Sequence, residues 1–79
     1  MRLDKYLKIS RLIKRRTVAN EACDAGKVSV NGKVARASYD VKVGDVLEIK
    51  FGEKITRIKV VAVAETVLKD AASSLYEIL

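Results

Sequence analysis

Near the start of the chain Leu3, Tyr6, Leu7, Ser10 and Ile13 return to one side of a helix, about 120° wide at 100° per residue. Lys8 and Arg11 point elsewhere. Ser10 and the cluster Lys14-Arg15-Arg16 interrupt the pattern, which predicts a break there and a second helix opening around Arg15 to Thr17. In that second helix Val18, Ala19, Ala22 and Cys23 form an expected buried stripe of small side chains, which lets two short helices approach closely. Gly26 is the expected stop, because a residue without Cβ accepts the left-handed conformation that closes a helix.

Beyond Gly26 the spacing becomes that of strands. Lys27-Val28-Ser29-Val30 alternates, and Asn31-Gly32 predicts a two-residue hairpin turn because both residues tolerate positive φ, with Lys33-Val34 beginning the return strand. A turn at Val43-Gly44-Asp45 precedes Val46 to Phe51, where Leu47, Ile49 and Phe51 share a face opposite Glu48 and Lys50. Lys54 to Val63 reads as a further strand with Ile58 and Val60 inward. Helical spacing returns through Leu68, Ala71, Ala72, Leu75 and Leu79, which predicts a C-terminal helix. The expected fold class is therefore α+β: two short N-terminal helices packed on a small antiparallel sheet, with a helical tail.

Length and composition narrow the picture. The 79 residues suit one domain, and a chain this small buries about 60% of the surface it exposes when unfolded, leaving little volume for a deep pocket. Aromatic residues are few and Pro is absent, so the core must be aliphatic. One Cys and no His supply neither a disulfide nor a zinc ligand set, so no metal or cofactor is expected and a reducing, cytoplasmic setting is the default. No apolar run approaches the roughly 20 residues of a membrane span, and the basic start lacks the hydrophobic block of a secretory signal.

Charge adds the most. Residues 1–16 carry seven bases, Arg2, Lys5, Lys8, Arg11, Lys14, Arg15 and Arg16, against the single acid Asp4. Residues 17–79 hold nine bases and nine acids, so the whole net charge of +6 lies in the first fifth of the chain. Two adjacent helices would gather these bases on neighbouring surface, where guanidinium groups fork onto phosphate oxygens. Nucleic acid is the expected partner. Asp4 either favours the first helix through its dipole or orients Arg11, Arg15 or Arg16 by an ion pair. No catalytic residue is expected: Asp4, Asp24 and Asp45 each have a structural explanation, Cys23 lies on the apolar stripe, and no Gly-rich phosphate loop is present.

Arg2-Leu3-Asp4-Lys5-Tyr6-Leu7, Arg16 opening a helix that ends at Gly26, Val28-Ser29-Val30-Asn31-Gly32 and Val43-Gly44-Asp45 together resemble the RNA-binding domain family named for small-subunit ribosomal protein four. The likeness covers about residues 1–51, the core motif of an expected single domain 1–79, with 52–79 as strand and helical tail. The run Lys8 to Arg16 and the tail Ala71 to Tyr76 are similar to the short free-standing members of ribosome-associated quality control. A heat-shock branch that rescues large subunits is also similar, though its members carry a longer basic C-terminal extension. The resemblance implies binding to a dissociated large ribosomal subunit, touching its ribosomal RNA and the peptidyl-tRNA in the P site, beside a partner that appends alanine to the stalled chain; a monomer is expected. It places Arg2, Asp4, Arg11 and Arg16 on motif positions, with Lys5, Lys8, Lys14 and Arg15 as added contacts. Arg15 departs from the Ser or Thr that many members place before the helix-opening arginine, so a side-chain cap is lost and a charge gained.

Other function classes make different demands. A DNA-binding helix-turn-helix would present Asn20, Glu21 and Asp24 to the major groove, where the two acids oppose phosphate. A sheet-edge protein-interaction module would bind independently of salt, through the neutral half beyond Thr17. An enzyme appendage would be active only beside a catalytic partner. Large-subunit rescue and ribosome assembly are further roles open to the same scaffold.

Overall fold

The computed structural model describes residues 1–64 and 69–79. Helix α1 runs from Leu3 to Ile9 and α2 from Arg16 to Asp24. Leu3, Tyr6, Leu7, Ser10 and Ile13 are all buried, as their spacing predicts. The α1 N-terminus has no side-chain cap. Its orphan donors go instead to a distant segment: Leu3 N–H to the Tyr39 carbonyl at 2.8 Å and Asp4 N–H to the Ala37 carbonyl at 3.2 Å. The helix ends where the buried Ser10 hydroxyl donates back to the Leu7 carbonyl at 3.2 Å. The chain then turns through Arg11, a non-glycine residue at φ +61°.

At Arg15 the expected loss of a side-chain cap is found. The end of α2 is better satisfied. Gly26, at φ +77°, donates its N–H to the Cys23 carbonyl at 3.0 Å, and Lys27 donates to the Ala22 carbonyl at 2.9 Å, the paired bonds that close a helix through a left-handed residue. Ala19, Ala22 and Cys23 are buried, but Val18 is 42% exposed, against expectation. At 100° per residue Val18 lies about 90° from the centre of the stripe that its three neighbours define, which puts it on the flank of the helix.

Strands β1 (Val28–Val30), β2 (Lys33–Val34), β3 (Val46–Phe51), β4 (Lys54–Val60) and β5 (Tyr76–Ile78) form one antiparallel sheet in the order β2-β1-β3-β4-β5. The Asn31-Gly32 turn joins β1 to β2 with both residues at positive φ and Val30 opposite Lys33. Asn31 also reaches beyond its turn. Its amide donates to Asp45 at 3.1 Å and its side-chain oxygen accepts from Val46 N–H at 2.9 Å, tying the hairpin to the start of β3. Val28, Val30, Leu47, Ile49, Ile58 and Val60 all point inward and, with the buried helix residues, make one core. Phe51 is 43% exposed rather than buried with Leu47 and Ile49, because it stands at the turn end of the β3–β4 hairpin, beside Gly52-Glu53 and paired with the exposed Lys54.

The expected C-terminal helix is found in part. Residues Lys69–Leu75 form a 3₁₀ helix in place of an α-helix, and Tyr76–Ile78 add β5 to the sheet; Leu68 lies outside the described residues. Strand β4 ends at Val60, short of Val63, with Val60 opposite Tyr76 and Ile58 opposite Ile78. The free edge of β4 supplies backbone partners that outweigh the helical spacing of the tail. Ala72 and Leu75 are nonetheless buried, and the buried Tyr6 hydroxyl donates to the Leu75 carbonyl at 2.8 Å. No helix among the described residues is long and apolar enough to cross a membrane.

Candidate nucleic-acid interface

The helix pair converges on Asp4. Although charged, Asp4 is only 2% exposed, held in the first turn of α1 where α2 packs against it. Its carboxylate accepts from Arg2 through both Nε, at 3.2 Å to Oδ1, and Nη2, at 3.3 Å to Oδ2. Asn20 of α2 donates to Oδ2 at 3.2 Å, the Lys5 backbone N–H donates to Oδ1 at 2.8 Å, and Arg16 Nε lies 3.6 Å from Oδ2. Burial alone would raise the pKa of this carboxyl. The bonds from Arg2, Asn20 and Lys5, together with the charge of Arg16, outweigh that penalty and hold it below the ordinary value of 3.8.

The consequence for the arginines is positional. A long flexible guanidinium on a surface samples many rotamers, whereas Arg2 and Arg16, each about half exposed, are both held by one buried anion. Asp4 occupies two of the five donors of Arg2, so capacity remains for an incoming oxyanion. A shallow depression opens at this point, lined by Arg2, Asp4, Arg16, Thr17, Asn20 and Glu21.

The structure therefore brings Arg2, Asp4 and Arg16 together. Of the other expected contacts, Lys5 is half-buried along α1, Lys8 is exposed in its last turn, Arg11 is exposed at the left-handed turn, and Lys14 and Arg15 are exposed on the approach to α2. Arg16 is among the partners the sequence offers for Asp4; Arg2 and Asn20 are partners that sequence reasoning missed. The proximity of Arg2 could have been found from its i,i+2 placement across a helix start. Asn20 needs the packing of α2 on α1. Cys23 belongs to the core, and burial, with the nearby charges of Asp4 and Asp24, pushes its thiol up to about 11, which keeps it in the unreactive protonated form.

Residues 1–47, more than half of the chain, match the family model described as the S4 domain. The chain belongs to the S4 domain family. Over 78 residues this S4 domain protein is 56% identical to the RQC P-site tRNA stabilizing factor of Halalkalibacterium halodurans, spanning 99% of this chain and 89% of the relative. It is 52% identical to the protein of the same name from Bacillus subtilis over 79 residues, all of this chain and 92% of that one. Among solved structures, a trimeric Heat Shock Protein 15 from Vibrio cholerae superposes with a TM-score of 0.92 at 29% identity, covering 100% of this S4 domain protein and 81% of its own chain. The α+β architecture, helix pair against antiparallel sheet, is thus the one its relatives share.

Proposed function

We propose that this protein is a non-catalytic, cytoplasmic RNA-binding factor of ribosome-associated quality control. As one domain and as a monomer, it binds the dissociated large ribosomal subunit that still carries peptidyl-tRNA. It touches ribosomal RNA and the P-site tRNA, and so holds the tRNA in place while an alanine-tailing factor extends the stalled chain. The observation that carries the reading is the pair of half-exposed arginines, Arg2 and Arg16, pinned to the buried Asp4 within the first sixteen residues, which hold seven bases. Relatives 52–56% identical along this chain are named for stabilising tRNA in the P site, which supports reading these arginines as RNA contacts.

Arg2 and Arg16 are assigned the sites where two phosphate groups are gripped, and Lys5, Lys8, Arg11, Lys14 and Arg15 supply flanking positive potential, with Asp4 as the orienting residue. The chemistry asks only for oxyanion recognition, which pre-positioned guanidinium groups supply without proton transfer. With five to seven phosphates engaged, log affinity falls against log salt with a slope of roughly −4 to −6. The test is co-sedimentation of tagged protein with large subunits, with sequencing of the RNA recovered. Arg16→Ala, at unchanged thermal stability, is expected to lower association roughly tenfold or more. Undiminished association, or recovery of duplex DNA in place of large-subunit RNA and peptidyl-tRNA, overturns the assignment. The close superposition on a Heat Shock Protein 15 supports a second reading, rescue of large subunits without tailing; retention of alanine tails in cells lacking this protein would favour it.

A further inference from the structure

Residues 17–79 are neutral in sum, yet the balance is uneven: Lys27, Lys33, Arg36 and Lys42 stand within residues 27–42 against the one acid Asp40. Asp40 is already paired, through its Oδ1, with the Met1 ammonium at 2.6 Å. Two of these bases, Lys33 and Arg36, line a groove formed by the edge strand β2 and the segment that follows it, together with Val30, Val34, Ser38 and Tyr39 among others. Ala35 and Ala37 turn inward while Arg36 and Ser38 turn outward, so the bases stand along the groove as the chain alternates.

Three features define its occupant. The lining holds two cations and no acid. Tyr39 is partly buried against the core, and its hydroxyl donates to Asp45 Oδ2 at 3.3 Å, so its ring is held at both ends. Valines 30 and 34 add apolar wall. An acidic peptide would use the cations but has no need of an immobilised ring beside aliphatic surface, whereas a nucleotide uses both, its base stacking on the ring and its phosphates meeting the cations. The same segment is fastened to the α1 N-terminus: the Tyr39 carbonyl accepts from Leu3 N–H at 2.8 Å, and Asp40 bridges to Arg2 in antiparallel fashion. Groove and arginine pair therefore share one backbone support.

We propose that this groove is a second RNA contact, which takes an unpaired base on the Tyr39 ring and its flanking phosphates on Lys33 and Arg36. The assignment rests on the RNA-binding reading above and extends it from backbone gripping to capture of single-stranded RNA.

The experiment is an NMR titration of the isotopically labelled full chain with a single-stranded RNA octamer of adenosines and uridines, and separately with polyglutamate. The RNA is expected to shift amide resonances of residues 33–39, in the wild type and equally in Arg16→Ala. In Lys33→Ala/Arg36→Ala, whose altered side chains are exposed, those shifts should vanish. The salt slope of RNA binding should then become shallower by about 1.4, the contribution of two phosphates on a single strand. Shifts confined to residues 2–16 would overturn the groove while leaving the arginine pair standing. Groove shifts with polyglutamate but not with RNA would overturn it in favour of an acidic protein partner, and RNA shifts nowhere would overturn the groove while the co-sedimentation test decides the arginine pair.

Discussion

Two arginine–carboxylate pairs of near-equal length occupy opposite environments in this molecule. Arg2 meets Asp4 at 3.2 Å with the carboxylate side chain 3% exposed, and Arg57 meets Glu48 at 3.1 Å across β4 and β3 with the two side chains 59% and 39% exposed. Distance does not distinguish them; water does. The sheet pair forms in competition with solvent and pays the entropy of holding two mobile side chains, which leaves little net gain. The helix pair sits where an unsatisfied carboxylate would be costly, so every one of its bonds matters. The region that carries the proposed interface is built on an anion that cannot be released, and the sheet is built on packing and turn geometry.

The sharpest way to break this contrast is Asp4→Ala. It leaves the Asn20 amide and the Lys5 N–H without their acceptor and sets Arg2 and Arg16 against each other, with an expected loss of about 2–3 kcal/mol in denaturant unfolding. A loss under about 0.5 kcal/mol would mean that Asp4 holds nothing in place. Next in size is Gly32→Val in the β1–β2 hairpin. Gly32 sits at φ +86° with open space around its Cα, so the expected loss of about 2 kcal/mol comes from backbone conformation alone. Unaltered stability in that variant would show that the hairpin tolerates another turn.

Acidification sharpens the comparison further. The native Asp4 carboxyl has a lower pKa than in the unfolded chain, so the unfolded state binds more protons at low pH. The stabilisation is complete above the ordinary carboxylate range and is lost as the pH falls through the folded value. Asp4→Asn should therefore flatten the acid limb of the stability curve below about pH 4, read from thermal midpoints across a pH series. The smallest effect belongs to the sheet. A double-mutant cycle on Glu48→Ala and Arg57→Ala should return a coupling below about 0.5 kcal/mol, less at high salt. A coupling as large as the Asp4 effect would dissolve the distinction between the two regions.

How much of this the amino-acid pattern discloses depends on range. The break at Ser10, the opening of α2 at Arg16, its closure at Gly26 and the Asn31-Gly32 hairpin are decided by neighbours within a few residues, and all are legible. Val18 and Phe51 are misread because periodicity gives a direction but not the edge of the core: one is on a helix flank, the other at a hairpin end. The tail is misread for a stronger reason. Its apolar residues repeat with helical spacing, yet β4 offers an unpaired edge about sixteen residues earlier, and no local pattern reports a vacancy elsewhere in the sheet. The candidate site divides likewise. Its positive charge is written in sixteen consecutive residues, but the acceptor for Asn20 and the groove beside Tyr39 exist only once separate segments meet.

Tyr6 ties α1 to the segment that precedes β5. Its hydroxyl, 0% exposed with the rest of the side chain, is satisfied by the carbonyl of Leu75, 69 positions later. A buried donor of this kind has no good alternative until its acceptor has been synthesised, and the loop to be closed spans 69 positions. During translation the two helices emerge ahead of Leu75, free to form and fray, while the bond that locks α1 down must wait for that residue to leave the exit channel. The proposed phosphate-gripping surface is therefore encoded well before the contact that completes its support.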